Sequence, residues 1–212
     1  VAKPGKIYGV FVDHPGYIFI DTGVEDLKSL RMKIRARSAT IYIFAGKNIY
    51  EILDEYTRLT GRPFMPPKWA LGYHQCRYSY MSQEEVLSIA REFRRRGIPL
   101  DAIWLDIDYM DGYRLFTWNR DRFPDPRQMI EDLHSMNVRV VTIVDVGIKA
   151  ERGYHAYERG LEADAFLRTP DGELFRGGVW PGLCVFPDFL RKSVREYWAK
   201  LLAEFMNVGV DG

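Results

Sequence analysis

Cysteine is scarce: Cys76 and Cys184 are the two in 212 residues, far apart and in no metal-ligand spacing. That excludes a disulfide-stapled scaffold, and reduced structural thiols lead to the expectation of a cytoplasmic protein. The four histidines, His14, His74, His134 and His155, form neither H-x-x-x-H nor H-E-x-x-H, so no metal is expected. An excess of one charge is also missing. The 30 Lys and Arg against 29 Asp and Glu leave a formal net charge of +1, which offers no attraction for nucleic acid or an anionic membrane. The basic run Arg94-Arg95-Arg96 stands at the end of an expected helix, where cations complement the helix dipole. No apolar stretch approaches membrane-spanning length, and no signal-peptide pattern is read in the first residues, so no membrane partner is expected. There is no G-x-G-x-x-G after a strand and no G-x-x-x-x-G-K-[ST], which argues against a nucleotide ligand. The absence of Gly-x-Ser-x-Gly removes the usual hydrolase serine.

What is present is an ordinary globular balance, 47% hydrophobic and 28% charged, enough for a real core. The organising stretch is Ala102 to Phe116. Its apolar run Ala102–Leu105 reads as a strand buried on both faces, and Asp106, Asp108 and Asp111 follow it among aromatic residues. In a parallel α/β sheet or barrel the C-terminal strand ends hold ligands. Acids that accept from hydroxyls and rings that cover C–H faces suit a polyhydroxylated ligand. A solvated acidic loop over packed aromatics is the competing reading at this level.

Residues before about 62 read as antiparallel sheet and one helix. Ile7–Val12 and Tyr17–Ile20 flank Asp13-His14-Pro15-Gly16, which predicts a hairpin with a type II turn. Leu30–Ala36 alternates apolar and basic residues, and Thr40–Phe44 is β-branched and aromatic. Asn48 and Glu51 form a capping-box start to a helix ended by Gly61 and Pro63. A proline-rich connector, Arg62 to Lys68, follows. Strand and helix then alternate: a strand over Trp69–His74, a helix from Ser82 to Arg96, a strand over Ala102–Leu105, a helix opened by Asp125-Pro126, and a strand over Arg139–Val144. Asp145 to Asp188 reads as a long irregular stretch with at most one short helical turn, and Leu190–Phe205 as an amphipathic helix. This alternation implies right-handed βαβ units, either the first half of a (β/α)8 barrel or a small open sheet.

Several ordered motifs resemble the glycoside hydrolase family 31 α-glucosidases. Gly72-Tyr73-His74-Gln75-Cys76-Arg77-Tyr78-Ser79-Tyr80 and Trp104-Leu105-Asp106-Ile107-Asp108-Tyr109-Met110-Asp111 look like the family's first and second barrel-strand motifs. Ile143-Val144-Asp145-Val146-Gly147-Ile148, Val179-Trp180-Pro181-Gly182 and Phe186-Pro187-Asp188-Phe189 are similar to later ones. Tyr8-Gly9-Val10-Phe11 through Pro66-Pro67-Lys68-Trp69 resembles the end of the family's β-sandwich domain and its link to the barrel. The fold implied is α/β: the N-terminal half of a (β/α)8 TIM barrel over residues 63–212, preceded over 1–62 by the last antiparallel strands of a β-sandwich domain with a linking helix.

The resemblance implies a retaining, exo-acting enzyme that releases glucose from the non-reducing end of α-linked oligosaccharides, without metal or organic cofactor. Two carboxylates about 5–5.5 Å apart act as nucleophile and acid/base in such chemistry. In the family the nucleophile follows an Asp-Gly like Asp211-Gly212, so both catalytic aspartates are expected after Gly212 and the 212-residue chain alone is expected to be inactive. By the resemblance, Asp106 hydrogen-bonds hydroxyls of the terminal glucose, Ile107 and Ile148 are apolar pocket walls, Trp180 is a wall aromatic and Tyr78 a rim aromatic. The lesser reading of Asp106 is a helix N-cap or a strand-end ion pair, and Ile107, Ile148 and Trp180 taken as isolated residues could be plain core. Asp108, Asp111 and Asp145 are expected to be structural, holding their loop through Arg77, Arg114 or backbone N–H groups. Other specificities of the same family, α-xylosidase or transglycosylase, and a sugar-binding or assembly module without activity, are the alternatives. A half barrel with open strand edges is expected to form homo-oligomers or to depend on the missing half.

Overall fold

A computed structural model describes residues 2, 3 and 5–212, with side chains from Gly5 onward. The chain forms two compact units, Val1–Met65 and Pro66–Gly212.

In the first unit β1 (Ala2–Lys3), β2 (Lys6–Asp13) and β5 (Thr40–Ala45) make one antiparallel sheet in the order β1-β2-β5. A separate antiparallel pair joins β3 (Ile18–Asp21) to β4 (Arg31–Ile34). The expected hairpin across Pro15-Gly16 is therefore not formed. Gly16 does not take the positive φ that a type II turn requires, and β2 instead pairs along its length with β5, from Tyr8 opposite Ala45 to Asp13 opposite Thr40. Non-local pairing overrides the local turn signal. Helix α1 (Ile49–Thr60) starts where Asn48 Oδ1 accepts from the Glu51 N–H at 3.1 Å, and Gly61 ends it with φ +100°. Beneath α1, Phe11 stacks on Tyr42 and meets Tyr56 edge-on. Gly9 leaves room for Ile52, since a Cβ there would come within 2.8 Å of Ile52 Cγ2.

In the second unit β6 (His74–Gln75), β7 (Ala102–Leu105) and β8 (Arg139–Thr142) run parallel in the order β6-β7-β8. The strand expected over Trp69–His74 is mostly a 3-10 turn, Lys68–Leu71. Pro67 enters it with φ −63°, and only the last two residues before Cys76 pair with β7. Helix α2 (Gln83–Arg95) is capped by Ser82, whose hydroxyl accepts from the Glu85 N–H. Helix α3 (Pro126–Ser135) is capped by Asp125 with proline at its first position. Val86, Leu87 and Ala90 of α2 and Met129, Ile130 and Leu133 of α3 share one core with Ile103, Leu105 and Val140 of the sheet.

Asp145 to Asp188 is not irregular. It contains β9 (Ile148–Lys149), α4 (His155–Glu162), β10 (Arg176–Val179) and β11 (Gly182–Val185), and the strands form an antiparallel sheet in the order β10-β11-β9. Gly177, Gly178 and Gly182 dilute the strand pattern here, while pairing such as Val185 with Ile148 comes from far along the chain. Helix α5 (Lys192–Met206) follows. The Asp211 N–H then donates to the Val140 carbonyl at 2.8 Å, and the Thr142 N–H to the Gly212 carbonyl at 2.9 Å, so residues 211–212 run alongside β8. The parallel sheet is open: this is part of a barrel, not a closed one.

Candidate functional site

Parallel register brings three strand ends to one side: Cys76 to Tyr78 after β6, Asp106 to Asp108 after β7, and Ile143 to Asp145 after β8. Side chains alternate between faces along a strand. Ile103 and Leu105 go under the helices, so Ala102, Trp104 and Asp106 belong to the other face. The same register carries His74 of β6 with Cys76 just after it, and Val141 of β8 with Ile143 just after it, to that second face. It is the less covered one: Trp104 is 38% exposed between two buried neighbours.

Asp106 is half-buried at the end of β7. Its Oδ1 accepts the Ile107 N–H at 2.7 Å, which caps a 3-10 turn over Ile107–Tyr109. Among the described residues no other hydrogen bond to this carboxylate is found, so Oδ2 can accept from a ligand. The capping role and a binding role therefore use different oxygens. Asp106 also lies near enough to Cys76 that its charge, after burial, pushes the thiol up from its ordinary value.

The other sequence-derived residues fall in three settings. Ile107 and Ile148 (0% exposed) are both in the hydrophobic core, so they back the strand ends rather than stand open. Trp180 is 61% exposed at the tip between β10 and β11, a hairpin attached to Ile148 through Val185. Tyr78 is 68% exposed just beyond β6, and its charge adds weakly to the upward push that Asp108 gives the Tyr113 phenol.

Asp108 is buried and accepts from Tyr113 OH and Arg122 Nη1, both at 3.3 Å. Asp111 pairs with Arg114 as expected. Arg77 does not hold these acids. It pairs with Glu85 of α2 and lies 4.8 Å over the Tyr80 ring, because it leaves β6 on the helix side. Sequence reasoning missed His74 and Trp104 as members of the open face. The signal was present in their two-residue offsets from Cys76 and Asp106. No group of three His, Cys, Asp or Glu side chains suited to a metal occurs among the described residues. The arrangement can accept hydrogen bonds from hydroxyls at Asp106 beside an indole surface, which suits a sugar.

Comparison with known proteins points the same way. The model of the glycosyl hydrolases family 31 TIM-barrel domain matches residues 63–212. An α-glucosidase of Saccharolobus solfataricus is 40% identical over 210 residues, covering 99% of this chain and 30% of the relative. Alpha-glucosidase 2 of Bacillus thermoamyloliquefaciens is 48% identical over 171 residues, covering 81% of this chain and 22% of the relative. The crystal structure of a family 31 α-glucosidase from Bacteroides thetaiotaomicron superposes with a TM-score of 0.85 at 37% identity, over 97% of this chain and 34% of that one. The chain thus spans between about a fifth and a third of the length of these relatives. With its matched segment holding the parallel strands and the Asp106 loop, the chain belongs to glycoside hydrolase family 31.

Proposed function

We propose that the protein carrying this chain is a retaining, exo-acting α-glucosidase that releases glucose from the non-reducing end of α-linked oligosaccharides. In this reading residues 63–212 supply the sugar-binding half of the pocket, and residues 1–62 close a preceding β domain. Both catalytic aspartates lie outside these 212 residues. Oδ2 of Asp106 accepts from hydroxyls of the terminal glucose, Trp180 is a wall aromatic, Tyr78 a rim aromatic, and Ile107 and Ile148 are apolar wall residues. The observation that supports the reading best is the Asp106 carboxylate at the end of β7, with one oxygen held by the Ile107 N–H and the other without a hydrogen-bond partner among the described residues. The unpaired Cys76 and Cys184 fit a cytoplasmic location, and the open edge of β6 fits assembly with further strands or a second copy.

The test is turnover of p-nitrophenyl α-glucoside and α-xyloside, by the 212-residue chain and by the longer protein, with the product anomer followed by NMR. Release of α-glucose by the longer protein alone is expected. Turnover by the chain itself, or preference for the xyloside, would overturn the assignment.

A further inference from the structure

We propose that Arg114 is a positioning residue that holds the Asp106 loop against the segment beginning at Ile148, and so sets the width of the sugar pocket; this rests on the α-glucosidase reading. Arg114 Nη1 donates to Glu151 Oε1 at 2.9 Å, its Nη2 pairs with the Asp111 carboxylate, and its Nε donates to the Asp111 carbonyl at 3.2 Å. Glu151 Oε2 in turn meets Lys149 Nζ at 2.6 Å, and Lys149 directly follows Ile148. One guanidinium therefore ties the loop after β7 to the segment containing β9. Its side chain is only 24% exposed, which gives such a charge-assisted contact more weight than the open ion pairs within α1 and α2.

Two features explain why this loop needs holding. Gly112, Tyr113 and Phe116 take φ of +55°, +60° and +60°, and the two aromatic residues resist that left-handed region. Tyr113 is also bonded to Asp108, two residues beyond Asp106, so relaxation of the loop reaches the binding carboxylate. Apolar packing joins the two segments at depth, where Leu115 and Phe116 share one core with Ile148 and Tyr154, and leaves their outer edges to polar contacts. A hollow of about 350 Å³, lined by Asp111, Arg114, Thr117, Glu151 and Tyr154 among others, lies between the two segments. Deeper down, Tyr154 OH donates to the Leu115 carbonyl at 2.8 Å in a buried contact that anchors the pair without fixing its outer edge.

The experiment uses the longer protein with R114A, R114K, E151Q and the double variant R114A/E151Q. With p-nitrophenyl α-glucoside, R114A and E151Q are expected to raise KM about tenfold while kcat changes by less than about threefold. The double variant should be no worse than R114A, and R114K should recover part of the loss. Amide exchange should rise in residues 106–113 and 148–153 and stay unchanged in α2 and α3. A lower melting temperature with KM unchanged, additive losses in the double variant, or exchange that rises evenly through the unit would overturn the proposal. If the wild-type protein does not turn over the glucoside, the α-glucosidase reading fails, and the exchange pattern alone still decides whether Arg114 holds the two segments together.

Discussion

The indole N–H of Trp104 donates to Nδ1 of His74 at 3.0 Å, and His74 Nε2 lies 3.1 Å from the Trp69 carbonyl oxygen. A carbonyl can only accept, so the imidazole carries its proton on Nε2 and receives on Nδ1. The ring is also stacked on Trp69 at 5.8 Å. This chain of contacts ties the start of β6 to β7 on the open face of the sheet, just below Cys76 and Asp106.

His74→Phe keeps a flat ring against Trp69 but loses both hydrogen bonds. Trp104 is partly exposed, so water can take up its N–H, and the expected loss of stability is about 1 kcal/mol rather than the larger cost of a stranded buried donor. Urea denaturation measures the loss, and the imidazole 15N shifts of the unmodified protein should report protonated Nε2. A protonated Nδ1 in the neutral ring would contradict this geometry.

Cys76 offers a chemical report on the strand ends. Its thiol is pushed up first by burial and then by the Asp106 carboxylate, so less thiolate is present at a given pH than for a free cysteine. Asp106→Asn removes the second cause, and the curve of alkylation rate against pH is expected to move to lower pH. Cys184 is buried and should stay unmodified in the folded protein. Iodoacetamide labelling read by mass spectrometry checks both points. An unmoved curve would mean that the two side chains are not neighbours.

Within α4, Gly160 is buried, and a Cβ there would come within 2.1 Å of Phe166 Cζ. Gly160→Ala gains about 1 kcal/mol of helix propensity but forces Phe166 off its stack with Tyr157, and overpacking of this kind costs about 1–3 kcal/mol. Because the close atoms run along the ring edge, the clash is expected to win and the melting temperature to fall. Gly160→Ala with unchanged or higher stability would show that the ring has room to shift.

The parts of the fold that were readable in the sequence are those decided by nearby residues. Asn48 with Glu51, Ser82 with Glu85, and Asp125 with Pro126 each mark a helix start at the observed position, because a cap involves only the first turn. Ala102–Leu105 has the expected bounds because an apolar run stops abruptly at an acid. Partners far along the chain were not readable: β2 chose β5 over its neighbour, and β9 found β11 across α4. At the candidate site, the position of Asp106 at the end of β7 was readable from the abrupt stop of the apolar run, while its sugar-binding role rests on the family resemblance. The burial of Ile148 was not readable, because nothing local says that β11 pairs beside it, with Val185 opposite Ile148.

In the proposed function, Asp106 grips the terminal glucose with the oxygen left free by the Ile107 N–H. The most direct test is kcat/KM of the longer protein toward p-nitrophenyl α-glucoside, compared with Asp106→Asn, whose amide oxygen can still accept the Ile107 N–H and cap the turn. A loss of about a hundredfold or more is expected, as for removing a charged hydrogen-bond partner from a bound hydroxyl, with little change in melting temperature. Activity within about threefold of the unmodified protein would contradict it.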